Sequence, residues 1–150
     1  MTIYLAAPLF SDMERDYIDN IVLDISRELH LDPLEDFYVP HRDNKYNLNS
    51  DYIYDENIKN LNDCDIMIAV LDGKDIDSGT AFEVGYFEAQ EKPIFGILTD
   101  KRSYDENNDL NQKLNIMIYG SCSYGYDVFN NFDNLVEKLY DYLIEYYMHL

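Results

Sequence analysis

The chain is poor in positive charge. Its 150 residues hold 11 Lys and Arg against 30 Asp and Glu, a formal net charge of −19. A surface so acidic repels phosphate backbones and anionic lipid headgroups, which excludes a general nucleic-acid binder or a membrane-surface protein. Long apolar runs are also missing: no stretch approaches the 18 residues that would suggest a membrane span. Met1-Thr2-Ile3-Tyr4-Leu5 carries no basic segment of the secretory type, so a cytoplasmic location is expected. Cys64 and Cys122 are the two cysteines, in no C-x-x-C pair, as suits a reducing compartment. His30, His41 and His149 are scattered, and no metal site is expected. Neither G-x-x-x-x-G-K-[ST] nor G-x-G-x-x-G occurs, which removes nucleotide loops of those types. No repeat, low-complexity tract or linker interrupts residues 1–150, which read as one domain.

Apolar residues make up 47% of the chain, enough for a core despite the charge. Ile3–Ala7, ended by Pro8, reads as a buried strand. Ser11 and Asp12 offer helix caps, with Glu14 at capping-box spacing from Ser11. Ile18, Ile21, Val22, Ile25 and Leu29 then follow helical spacing to about His30. Asp32–Ser50 is irregular, with Phe37-Tyr38-Val39 as a candidate short strand; a helix over Asp51–Asn62 follows. The run after Asp65, Ile66 to Leu71, has the unbroken apolar character of a central parallel strand. A helix over Ser78–Gln90, a strand over Ile94–Leu98, a short apolar run at Asn115–Tyr119 read as a strand, and a helix over Phe132–Met148 complete the chain. Alternating strands and helices predict a doubly wound α/β domain, a flavodoxin-like three-layer sandwich on a mostly parallel five-stranded sheet. Ligands of such sheets bind beyond the carboxyl ends of the strands, which singles out Pro8–Asp12, Asp72–Thr80, Thr99 onward and Asn115–Gly120.

The densest chemistry is Asp72 to Gly85, between the central strand and the next helix. A carboxylate fixed near a helix start, such as Glu83, can serve as nucleophile or base. The same residues admit a purely structural account. Thr80-x-x-Glu83 has the spacing of a capping box, and Asp77 and Ser78 suit turns or caps. A calcium loop counted from Asp72 fails, because Lys74, Ile76 and Asp77 stand where two ligands and a glycine are needed. Tyr4 could be a core residue with its hydroxyl at the sheet edge. The C-terminal tyrosines Tyr140, Tyr142, Tyr146 and Tyr147 suit packing or a subunit contact.

Three segments in order carry a resemblance: Ile3-Tyr4-Leu5-Ala6-Ala7-Pro8-Leu9-Phe10, Asp77-Ser78-Gly79-Thr80-Ala81-Phe82-Glu83-Val84-Gly85-Tyr86 and Asn115-Ile116-Met117. Together they resemble the nucleoside 2-deoxyribosyltransferase family nearly end to end. The resemblance implies that Glu83 attacks C1′ of a 2′-deoxynucleoside, forming a deoxyribosyl ester that a second base then displaces. Two inversions give net retention. It further implies that Tyr4 orients Glu83, that Asp77 contacts the nucleoside, and that Asn115 and Met117 reach a neighbouring subunit's site in a homo-oligomer. Phe10, Asn57, Asp72, Ser78 and Gly79 complete the implied substrate-binding set. No cofactor is implied. Many members carry an Asp that protonates the leaving base where Asn57 stands here; an amide is no acid, so Asp77, Asp72 or water is left for that step. The 2′-deoxynucleosides and free bases so implied are neutral partners, which suits a chain of −19. A hydrolase of the same superfamily acting on deoxynucleoside 5′-monophosphates would need a cationic or hydroxyl-rich pocket, to which Ser78 and Thr80 could contribute. A flavodoxin-like carrier would need a glycine- and hydroxyl-rich loop where Ala6-Ala7-Pro8-Leu9-Phe10 stands.

Overall fold

The computed structural model describes residues 1–44, 49–100, 114–123 and 128–148. Five strands are β1 (Ile3–Ala6), β2 (Phe37–Tyr38), β3 (Ile66–Val70), β4 (Ile94–Ile97) and β5 (Val128–Phe129). Helices are α1 (Asp12–Leu29), α2 (Pro40–Asp43), α3 (Ser50–Asp63), α4 (Ser78–Glu88), α5 (Ile116–Ser123) and α6 (Phe132–Met148). The strands form one sheet in the order β2-β1-β3-β4-β5, and every pair is parallel. The doubly wound flavodoxin-like sandwich is thus the observed fold.

The pleat divides the core into two layers. Ile3 and Leu5 of β1, Ile66, Ile68 and Val70 of β3, and Phe95 and Ile97 of β4 pack under α1 and α6. Tyr4, Ala6, Met67, Ala69 and Ile94 face the other way, under α3, α4 and α5. Ala6 and Ala69 stand in register and present only methyl groups to that layer, where α4 packs. Gly96 has a similar use: a Cβ there would meet Cys122 Sγ at 3.2 Å, so α5 needs the bare backbone to seat.

Three details depart from the sequence reading. Asn115–Tyr119 is the start of helix α5 rather than a strand. The fifth strand is the two-residue β5, which no apolar run announced. The stretch Asp32–Ser50 contains α2 as well as β2. The Ser11 capping box forms as expected: Ser11 Oγ accepts from Glu14 N–H at 3.2 Å, and Glu14 Oε2 accepts from Ser11 N–H at 2.6 Å. No described helix is long and apolar enough to cross a membrane.

Candidate active site

Tyr4 belongs to β1, which has β2 on one side and β3 on the other. It therefore lies inside the sheet rather than at its edge, and it is fully buried. Its side chain points into the α4 layer, where the hydroxyl donates to Glu83 Oε1 at 2.7 Å. That bond joins residues 79 positions apart and is the central contact of the site.

Asp77 is the N-cap of α4, its Oδ2 accepting from Thr80 N–H at 2.9 Å and from Thr80 Oγ1–H at 3.3 Å. Thr80 thus lies inside the helix, the Thr80-x-x-Glu83 capping box does not form, and Glu83 falls in the second turn rather than the first. Its carboxylate is directed to Tyr4 instead. Gly79 makes room for the cap, since a Cβ there would come within 3.0 Å of Asp77 Oδ2. Ser78 and Gly79 open the helix and are exposed.

The electrostatics follow from this burial. Removal from water pushes Glu83 up to about 7, with the charge of Asp77 acting in the same direction and the Tyr4 hydrogen bond opposing both. Burial, then the Glu83 charge and hydrogen bond, push the Tyr4 phenol far above its ordinary range. The shared proton therefore stays on Tyr4, and Glu83 is the group that titrates near neutrality. A carboxylate poised there, braced by the Tyr4 hydroxyl, can act as a nucleophile or a base.

The remaining expected residues divide by position. Asp72 follows β3 and accepts from Thr99 Oγ1–H at 2.7 Å and from Asp100 N–H at 2.8 Å. It ties the loop after β3 to the loop after β4. It also lines a cleft of about 360 Å³ with Pro8, Ser11, Met13, Tyr17 and Asp100, on the α1 side of the sheet; Tyr4 and Glu83 are not in that lining. Phe10 is 78% exposed in the loop after β1, its N–H held by Glu14 Oε2 at 2.9 Å. Asn115 turns its carboxamide into α5, accepting from Met117 N–H at 2.9 Å, and Met117 is 74% exposed. No contact between either residue and Glu83 is seen among the described residues.

Asn57, on α3, takes part in a network that the sequence reading missed. Tyr38 of β2 stands in register with Tyr4, ring centroids 5.3 Å apart, and donates its hydroxyl to Asn57 Oδ1 at 2.8 Å. Buried Asn44 joins both. Alternation does not say which strands pair, so the contact of Tyr38 with Tyr4 gave no sequence signal, and neither did Asn44, one of several Asn in a polar stretch. From the sequence, Phe37–Asn47, with His41, Arg42 and Asp43, is expected to border the base pocket and Ser103–Lys113 to be a lid or a loose loop; of these, residues 45–47 and 103–113 lie outside the described residues. Among the described residues, no three His, Cys, Asp or Glu side chains gather to hold a metal ion.

Comparison with known proteins identifies the family and the fold. An uncharacterised protein of Ureaplasma parvum serovar 3, UU063, is 30% identical over 91% of this chain and 92% of its own. Two solved structures share the fold: a 2-desoxiribosyltransferase from Leishmania mexicana (24% identity, TM-score 0.69, 93% of this chain and 97% of that one) and the CMP N-glycosidase BcmB of Clostridium botulinum (21%, 0.57, 95% and 99%). The family model described as nucleoside 2-deoxyribosyltransferase matches residues 3–136, and the chain therefore belongs to the nucleoside 2-deoxyribosyltransferase family.

Proposed function

We propose that this protein transfers the 2-deoxyribosyl group between nucleobases, as a single-domain cytoplasmic homo-oligomer. The observation that carries this reading is the Tyr4–Glu83 hydrogen bond, a half-buried carboxylate on α4 with the buried Tyr4 hydroxyl of β1 as its orienting donor. In the ionised form, a Glu83 oxygen attacks C1′ as the C1′–N bond to the base breaks. The bond's electron pair leaves with the base. An incoming base then displaces the ester and restores the carboxylate. The transition state is cationic at the sugar, and Glu83 and Asp77 supply negative charge around it. A 2-deoxy sugar lacks the electron-withdrawing hydroxyl that opposes such a cation, which favours deoxynucleosides. Asp77, Phe10, Asp72, Ser78 and Gly79 are proposed to border the substrate, with Asn115 and Met117 serving a neighbouring copy.

The second reading is hydrolysis, with water in place of the acceptor base; the fold shared with BcmB favours it, and the exposed hydroxyl of Ser78 at the start of α4 suits the phosphate of a deoxynucleoside 5′-monophosphate. One incubation separates the two. With deoxyinosine and free adenine, a transferase forms deoxyadenosine and hypoxanthine. A hydrolase releases hypoxanthine at the same rate with or without adenine and forms no new nucleoside. Absence of any reaction with deoxyinosine, thymidine and deoxynucleoside monophosphates would overturn both.

A further inference from the structure

Asn44, Tyr38 and Asn57 form a closed triangle. Asn44 Nδ2 donates to the Tyr38 hydroxyl at 2.8 Å and to Asn57 Oδ1 at 3.0 Å, while the Tyr38 hydroxyl donates to the same Asn57 oxygen at 2.8 Å. The carboxamide oxygen of Asn57 is thus held from two sides. Its amino group donates to nothing among the described residues, and Asn57 is only half-buried. The hydroxyl of Tyr38 cannot reverse its role by ionising near neutrality. Burial pushes it up to about 12, against the Asn44 bond, with the charges of Asp43, Glu56 and Glu83 adding to the rise.

The rest of the segment is built to place Asn44. Arg42 donates to the carbonyls of Pro33 and Phe37 and to Asp43, and Asp43 Oδ2 accepts from Val39 N–H at 2.7 Å. His41 Nε2 lies 3.0 Å from Asp19 Oδ1 on α1. A four-residue helix pinned at this many points ends on Asn44, which is buried although polar. From Glu83 the contacts then run through Tyr4 and the Tyr38 ring to Asn57.

Resting on the transfer reaction proposed above, we propose that Tyr38 and Asn44 are positioning residues that lock Asn57 as a hydrogen-bond donor to the departing nucleobase, and that this selects oxo-bases over amino-bases. As the C1′–N bond breaks, its electron pair delocalises into the base, and a carbonyl oxygen on the base becomes more negative. An N–H aimed at that oxygen stabilises it without transferring a proton. The base then takes its proton from water, and the incoming base releases one when its nitrogen forms the new bond. The exchange is proton-neutral overall and needs no acid at position 57. An amino-base presents a donor where the oxo-base presents an acceptor, so donor faces donor.

The test is kcat/KM for deoxyinosine and deoxyadenosine, an oxo/amino pair of nearly equal shape, with cytosine as common acceptor and thermal melts as a check on folding. Wild type is expected to favour deoxyinosine about 10-fold. Tyr38→Phe keeps the ring contact but frees the carboxamide to turn, and should bring the ratio within about threefold, mainly through kcat for deoxyinosine. A wild-type ratio near one or favouring deoxyadenosine overturns the selection. Equal losses on both substrates in Tyr38→Phe, with the ratio intact, overturn the positioning role. Wild type inactive on every deoxynucleoside is a different failure: it removes the transfer reading itself, and this inference with it.

Discussion

At Glu83 the needs of chemistry and of folding oppose each other. As the proposed nucleophile it must be ionised, yet its surroundings favour the protonated form and hold it up to about 7. The unfolded chain ionises this group near its ordinary value of 4.5. Between 4.5 and 7 the folded state therefore binds more protons than the unfolded one, and stability falls as pH rises through that window. The full effect is an upper bound of about 3 kcal/mol, reached above pH 7. Glu83→Gln keeps an acceptor for Tyr4 but carries no charge. It should abolish turnover and raise the melting temperature at pH 8, with the gain vanishing at pH 4; a variant that melts below wild type at pH 8 would refute the strain. In wild type, kcat/KM should climb about tenfold per pH unit below the midpoint near 7 and level off above it. Tyr4→Phe removes the hydrogen bond that lowers the Glu83 value, so its pH–rate midpoint should move to higher pH, read from the same titration with deoxyinosine.

Helix α4 links this chemistry to the fold through its first turn. Asp77 both caps the helix and, by its charge, raises Glu83, and two substitutions separate these roles. Asp77→Asn retains the cap oxygen and loses the charge, so the pH–rate midpoint should move to lower pH with little change in melting. Asp77→Ala should in addition cost about 1 kcal/mol, read by urea unfolding. Lys92 does similar work at the other end of a neighbouring helix, donating to the carbonyls of Leu61, Asn62 and Cys64 at the end of α3. Lys92→Met should cost about 2 kcal/mol in the same assay. The elements that were legible in the sequence are those with a long period or an unbroken apolar run: α1 and α6 by their stripes, β3 by Ile66–Val70. Helix α5 reads as a strand in the sequence because Ile116-Met117-Ile118 is apolar on consecutive positions, and only its packing, with Cys122 over Gly96 and Ile118 in the same core layer, decides for helix. Strand β5 is two residues long and exists because β4 offers it an edge. Of the site, Glu83 and Tyr4 stood out by motif. Their bond, and the triangle around Asn57, depend on strand register and on α2, which no local pattern encodes.

At the scale of the whole molecule, two properties pull in opposite directions. A net charge of −19 repels a second copy. Yet Phe10, Phe82, Ile116 and Met117 are exposed large apolar side chains, the last three on helices α4 and α5, which pack on each other and present apolar groups of the kind that a partner covers. If that partner is a second copy and Asn115 and Met117 complete its site, each site draws residues from two chains. Asn115→Ala and Glu83→Gln then damage the same site from different subunits. Each variant alone should be nearly inactive. In an isologous dimer of the two, one site carries both defects and the other carries neither. Random co-assembly makes half of the dimers mixed, each with one sound site of two, so co-expressed chains should regain about a quarter of wild-type activity. Sites confined to one chain would give only the mean of the two inactive variants. The assay belongs at about 0.2 M salt, where the Debye length is under 10 Å and repulsion between the acidic surfaces is largely screened. Sedimentation at low and high salt should show the assembled form gaining as salt rises, because screening removes the repulsion while leaving the apolar contact intact.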